Sequence, residues 1–214
     1  MDRRQVLKNL GLGAGMLVVG PATLNLLQSC VNEPKYDWTP SFLSAANGFA
    51  LAQILDVILP ATDTPGAREL NLAMFIDSYM DQIVPKDRKE NFNRGAVAFS
   101  RAFKREFDKE VGEGNKEEYE KIVAKYLKAT PEEQELFIKR NTETQDPMDQ
   151  DPKEDLDPDG DAFSYLKNVR DMGIWAWKTS ETIGENVLWY DPIPGEYIPC
   201  ISVEEAGNGK AMSL

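Results

Sequence analysis

SFLSAANGFALAQILDVILPATDTPGA, residues 41–67, decides the reading of the fold. Phe42, Ala46, Phe49, Ala50, Ile54, Val57 and Ile58 recur at the spacing of one helix face. Pro60 has no amide to give to another turn, so a helix over 41–59 stops there. Thr64-Pro65-Gly66 then centres a tight turn.

The same periodicity continues downstream. Leu72, Phe75, Ile76, Tyr79, Met80 and Ile83 form one stripe, ended by Pro85. Residues 86–110 repeat it with Phe92, Ala96, Phe99, Phe103 and Phe107, and carry Lys104, Arg105, Asp108 and Lys109 on the other face. Gly112 and Gly114 interrupt the chain. Tyr119, Ile122, Val123, Tyr126 and Leu127 give the cleanest stripe, over 116–128. Thr130-Pro131-Glu132-Glu133 reads as a capping box with proline at the first helical position, opening a short helix to Arg140. Residues 141–161 form an acidic, proline-rich loop, and a long helix follows from Ala162 to about Glu185. Val, Ile and Thr do not cluster in alternating runs, so no substantial sheet is expected. The fold class is mostly α: a single irregular helical bundle over residues 41–205. Its C-terminal tail is rich in aromatics and prolines, and the tail is expected to wrap over the helices or meet another protein. Residues 206–214 read as a flexible end.

The chain opens MDRRQVLKNLGLGAGMLVVGPATLNLLQSC. Arg3 and Arg4 precede an uncharged stretch from Leu10 to Leu27 that is glycine- and alanine-rich and broken by Pro21. It is too weakly apolar for a spanning helix and fits a cleaved signal, residues 1–29. Arg3-Arg4-Gln5-Val6-Leu7-Lys8 resembles a twin-arginine export signal. Leu27-Gln28-Ser29-Cys30 resembles a lipobox, which would make Cys30 the lipidated first residue of the mature chain. Residues 30–40, with Pro34 and Pro40 and no periodicity, read as its tether. These features predict a lipid-anchored protein of a bacterial cell envelope, on the periplasmic side or at the outer surface.

Removing residues 1–29 leaves 185 residues, enough for one sizeable core. The full chain has 24 basic and 36 acidic residues, a net charge of −12. Its leader carries Arg3, Arg4 and Lys8 against Asp2, so the mature chain is near −14. Such acidity argues against nucleic acid and against electrostatic adhesion to anionic lipid. There is no histidine. That excludes Ser-His-Asp and Cys-His nucleophilic systems, His-ligated haem and the usual zinc sites. With Cys30 lipidated, Cys200 is the last thiol, either buried and inert or bonded to another chain.

Two constellations invite chemistry. Asp155, Asp157, Asp159, Gly160 and Asp161 match the first half of a calcium loop. The twelfth position, where a bidentate Glu should close the loop, is Leu166. A solvated acidic loop is therefore the preferred reading. Trp175, Trp177 and Trp189 gather with Tyr190, Tyr197 and Cys200 late in the chain. Trp175 and Trp177 are two apart and cannot share a helix face, so one can face the core while the other reaches a partner. Packing of all three tryptophans in the core is an equal alternative. No residue is assigned a catalytic or cofactor-binding role.

The twin-arginine leader, ILPATDTPGA, the helix LAMFIDSYMDQIV and the closing WYDPIPGEYIPC together resemble the gluconate 2-dehydrogenase subunit 3 family. The resemblance covers most of the mature chain. Its most specific parts are Pro60–Ala67, Phe75-Ile76-Asp77 and the turn Pro194–Tyr197. The lipobox and the acidic loop depart from the family pattern. The resemblance implies a non-catalytic small subunit that escorts and anchors a FAD-dependent large subunit of the glucose–methanol–choline type. A cytochrome c subunit often completes such complexes. FAD is expected in the partner and no cofactor in this chain. The Trp175–Cys200 segment is the expected contact region. The rival readings are an independent ligand-binding envelope lipoprotein and an enzyme using the acidic loop.

Overall fold

The structure, a computed structural model, describes residues 38–144, 158–193, 195–196 and 198–213. Its helices are α1 (Ala45–Ile58), α2 (Leu72–Gln82), α3 (Lys86–Phe107), α4 (Lys116–Leu127), α5 (Pro131–Thr144), α6 (Asp159–Thr179) and α7 (Val203–Gly207). A 3-10 turn covers Val111–Glu113 and a π-turn Thr182–Val187. Helix α6 is the hub and packs against each of α1 to α5. Leu166 and Val169 of α6 are fully buried with Ile54 and Leu55 of α1, Ile76 of α2, Phe99 and Phe103 of α3, and Tyr119 and Tyr126 of α4. Each such side chain contributes about 1.5–3 kcal/mol by leaving water, which is what holds short helices together.

Local chemistry sets the helix ends. Ser44 caps α1 by accepting the Asn47 amide at 3.3 Å. Asn115 and Glu118 form a capping box at the start of α4. Thr130 and Glu133 form the expected one on α5: the Thr130 amide donates to Glu133 at 2.8 Å and the Glu133 amide to Thr130 Oγ1 at 3.3 Å. Asp108, with φ 53°, ends α3 in the left-handed region. The turn after α1 is closed by the Ala67 amide donating to the Leu59 carbonyl at 2.8 Å. Gly66 is required there, since a Cβ would lie 2.4 Å from the Ala61 nitrogen. Gly95 lets α3 and α6 approach, its missing Cβ falling 2.7 Å from Tyr165 Cβ.

The mostly α bundle agrees with the sequence reading, and the differences are local. Ala46 is exposed, while Leu51 and Leu55, left out of the expected stripe, are fully buried because α1 is covered on more than one side. Trp38 and Pro40, expected in the tether, pack over Gly48. Helix α5 runs on to Thr144 rather than Arg140. Helix α6 starts earlier and ends earlier than expected. The Thr179 hydroxyl donates to the Trp175 carbonyl at 2.9 Å and the Ser180 hydroxyl to the Trp177 carbonyl at 2.8 Å, competing with the backbone ladder. The tail is more regular than its prolines and glycines suggest. Ser202 and Glu205 cap the short α7, and residues 206–213 of the end expected to be flexible fold back. The Trp189 amide donates to the Ala211 carbonyl at 2.8 Å and the Ser213 amide to the Trp189 carbonyl at 2.9 Å, making a single parallel bridge.

Candidate functional site

The feature that stands out from the packed bundle is an exposed aromatic surface where α2 meets α6. Helix α2 has two apolar rows at four-residue spacing. Leu72, Ile76 and Met80 point inward and are buried. Phe75, Tyr79 and Ile83 make the neighbouring row. Phe75 is 43% exposed and Ile83 64%. Trp175 of α6, 42% exposed, completes the cluster: its ring centroid lies 5.7 Å from Phe75 and 5.3 Å from Tyr79. Phe75 and Tyr79 stack at 6.1 Å. These spacings suit mutually supporting rings, so the cluster is held in shape although much of it faces water.

Beside the cluster runs a groove of about 550 Å³. Tyr79, Ile83, Phe92, Met172 and Trp175 provide most of its apolar wall, and Arg88, Asn91, Asn168 and Asp171 its polar edge. This is the composition of a binding surface: apolar walls with a few polar groups to fix orientation.

Trp177 is turned the other way. Its indole N–H donates to the Pro65 carbonyl at 2.9 Å, tying α6 to the turn at 64–67. The tryptophan pair therefore divides as two-residue spacing on a helix requires, one anchoring inward and one outward. Trp189 belongs to a separate place, against Gly207 of α7, where a Cβ would come within 2.8 Å of the indole. Tyr190 and Cys200 are exposed, and the Cys200 thiol is free. Tyr197, Arg3, Arg4 and Cys30 lie outside the described residues.

Of the acidic run, Asp155 and Asp157 also lie outside the described residues. Asp159 and Asp161 stand on the first turn of α6 and are engaged by side chains. Asp159 accepts from the Tyr126 hydroxyl at 2.6 Å and pairs with Arg105, and Asp161 pairs with Arg94 at 3.3 Å. Burial raises the Asp159 pKa, but the Tyr126 hydroxyl and the Arg105 guanidinium outweigh it and hold the carboxyl below the usual carboxylate value. Among the described residues no group of three or more Cys, Asp or Glu is placed to hold a metal ion. No helix among them is long and apolar enough to cross a membrane.

The second buried carboxylate is Asp77, 1% exposed. It accepts from the Ser41 amide at 2.6 Å, the Ser41 hydroxyl at 2.9 Å, the Phe42 amide at 3.2 Å and the Leu43 amide at 2.9 Å. Asp77 thus pins the chain entering α1 to the back of the aromatic surface. Sequence reasoning singled out Phe75-Ile76-Asp77 without finding this role. It also merged the two rows of α2 into one stripe. Seven apolar residues on an 11-residue helix, Leu72, Ala73, Met74, Phe75, Ile76, Tyr79 and Met80, are more than one buried face needs, and that excess was the available signal.

Among curated proteins and among solved structures, nothing matches the chain. A family model described as gluconate 2-dehydrogenase subunit 3 matches residues 46–195, a span holding both α2 and α6 with their shared surface. A match over more than two thirds of the sequence, on a helical bundle of the expected kind, settles the assignment: the chain belongs to the gluconate 2-dehydrogenase subunit 3 family.

Proposed function

We propose that the protein is the non-catalytic small subunit of an envelope dehydrogenase complex that oxidises gluconate or a related sugar. Its large subunit would be a FAD-dependent flavoprotein of the glucose–methanol–choline type, with a cytochrome c subunit as a further partner. The observation that carries the reading is the family match over residues 46–195, which makes this an accessory protein by type. The leader supports the rest. Arg3 and Arg4 direct the chain to the twin-arginine route. That route moves folded proteins, so a flavoprotein bound to this chain can take up FAD before it crosses. Cys30 then receives lipid and holds the pair at the membrane. The complete absence of histidine agrees with a chain that supplies transport and attachment while redox chemistry belongs to its companion.

Purifying the tagged chain from detergent-solubilised native membranes tests this. A FAD-bearing large polypeptide should co-purify in stoichiometric amount. A stable flavin-free monomer, or flavin held by this chain alone, would overturn the reading. Arg3→Lys combined with Arg4→Lys should leave both proteins in the cytoplasm, and Cys30→Ala should release the exported complex from the membrane fraction.

A further inference from the structure

We propose that the groove lined by α2, α3 and α6 receives an apolar, acid-bearing segment of the flavoprotein subunit, with Arg88 pairing its carboxylate; the inference rests on the accessory-subunit reading above. Three observations carry it. The first is extent. From Ile83, 64% exposed on the groove wall, the apolar surface runs on to Phe75, 43%, and Ile174, 40%, neither of which lines the groove. A small molecule filling about 550 Å³ would leave Phe75 and Ile174 in water, whereas a protein segment covers groove and apron together.

The second observation is charge. Of the groove's cationic neighbours along α3 and α6, three are occupied. Lys86 pairs with Glu90 at 3.6 Å, Lys89 donates to the Asp81 carbonyl, and Arg170 holds Asp171 at 2.9 Å. The Arg88 side chain makes no ion pair or hydrogen bond among the described residues, and it lines the groove. A free guanidinium at an apolar mouth, on a chain of net charge −12, selects an anionic partner group.

The third is rigidity. The groove is built from α2, α3 and α6, with α6 packed on both of the others, and its aromatic wall is braced by the Phe75–Tyr79–Trp175 contacts. Little ordering is left to oppose docking, a condition under which aromatic anchors become hot spots.

The test uses the complex from native membranes. A benzophenone amino acid is placed at Ile83, and in a second variant at Ile193, which is 85% exposed in the tail. Both sites are outside the core, so folding is not at stake. Irradiation should link the Ile83 variant, and not the Ile193 variant, to the flavin-containing subunit. Arg88→Glu should weaken the complex at least about tenfold, and Arg88→Lys by less than about threefold, with the difference shrinking at high salt. Cross-linking from Ile83 to a second copy of this chain or to lipid would overturn the proposal. So would flavoprotein linkage from Ile193 alone, or indifference of the complex to Arg88→Glu; in these cases the accessory role survives and the docking face lies elsewhere. If the unaltered chain brings down no flavoprotein, the functional reading itself fails.

Discussion

Replacing Asp77 by alanine should loosen the join between the start of the domain and α2. The carboxylate is buried and accepts four hydrogen bonds, three of them from consecutive backbone amides at 41–43. Hydrogen bonds to a charged group contribute about 1.5–3 kcal/mol each, but not all of that is lost here. Ser41 is exposed and Phe42 half-buried, so their amides can turn to water. Leu43 is buried, and its orphaned amide costs about 1–3 kcal/mol by itself. The sum for Asp77→Ala is about 3–5 kcal/mol. For a domain of this size that corresponds to a fall in Tm of about 6–20 °C. Asp77→Asn keeps one acceptor oxygen and should cost about half as much, and Ser41→Ala, which removes one hydroxyl, about 1 kcal/mol. Thermal unfolding of the mature chain, followed by circular dichroism, gives the magnitudes. Hydrogen exchange gives the place: the 41–43 amides should lose protection before the core of α3 does. A loss below about 0.5 kcal/mol for Asp77→Ala would refute the reasoning, since effects that small are typical of unremarkable surface positions.

Three further substitutions probe the packing behind the docking face. Tyr165 is buried with no partner for its hydroxyl among the described residues, and burial pushes its ionisation far above the normal tyrosine range; Tyr165→Phe should therefore be neutral or stabilise by about 1 kcal/mol, read from chemical denaturation. Gly66→Ala should cost about 1–3 kcal/mol, because its Cβ would press on the Ala61 nitrogen and shift the carbonyl that Trp177 uses; a Tm within a degree of the parent would count against it. Asp159 has its pKa lowered in the fold, so its ionised form stabilises the native state above an unfolded-state value of about 3.9, and that contribution fades as pH falls through the lower folded value. Asp159→Asn should thus be destabilised by about 1–3 kcal/mol at pH 7, and unfolding free energies measured from pH 7 to 3 should show the gap closing below about pH 4. A gap that stays constant to pH 3 would mean that the Arg105 and Tyr126 contacts do not carry it.

The elements that sequence periodicity found best are those with a single apolar stripe. In α3, Phe92, Ala96, Phe99 and Phe103 are buried as the spacing requires, and in α4 so are Tyr119, Ile122, Val123 and Tyr126. Each of these helices has one wet face. Helix α1 defeated the same logic because Leu51 and Leu55 lie beside the chosen face and are buried too. Helix α2 defeated it in reverse, since Met74 and Phe75, with Ile83 just past its end, face out. Periodicity reports which residues share a side but is silent on whether that side meets this chain or another. The tryptophan pair was legible for a stricter reason. Two residues apart on a helix are about 200° apart, so Trp175 and Trp177 had to diverge whatever the tertiary packing. Asp77 and Arg88 were not legible, because their meaning depends on which groups the fold brings to them or leaves away from them.

The two ends of α6 explain how a short-helix bundle can present a firm outer surface. At its N-terminal turn, Asp159 joins α6 to Arg105 of α3 and Tyr126 of α4. Near its C-terminus, Trp177 joins it to the turn after α1. Between these ties the helix is buried against five neighbours, so it cannot rotate without breaking polar contacts at both ends. Rotation is the motion that would spoil the docking face, because Trp175 is offset from Trp177 by a fixed angle along the same helix. Asp77 supplies the matching constraint on α2 by holding it to the segment that opens the domain. The exposed cluster of Phe75, Tyr79 and Trp175 is therefore set by anchors on the buried sides of its two helices. Weakening an anchor should displace the cluster even though no exposed residue has changed.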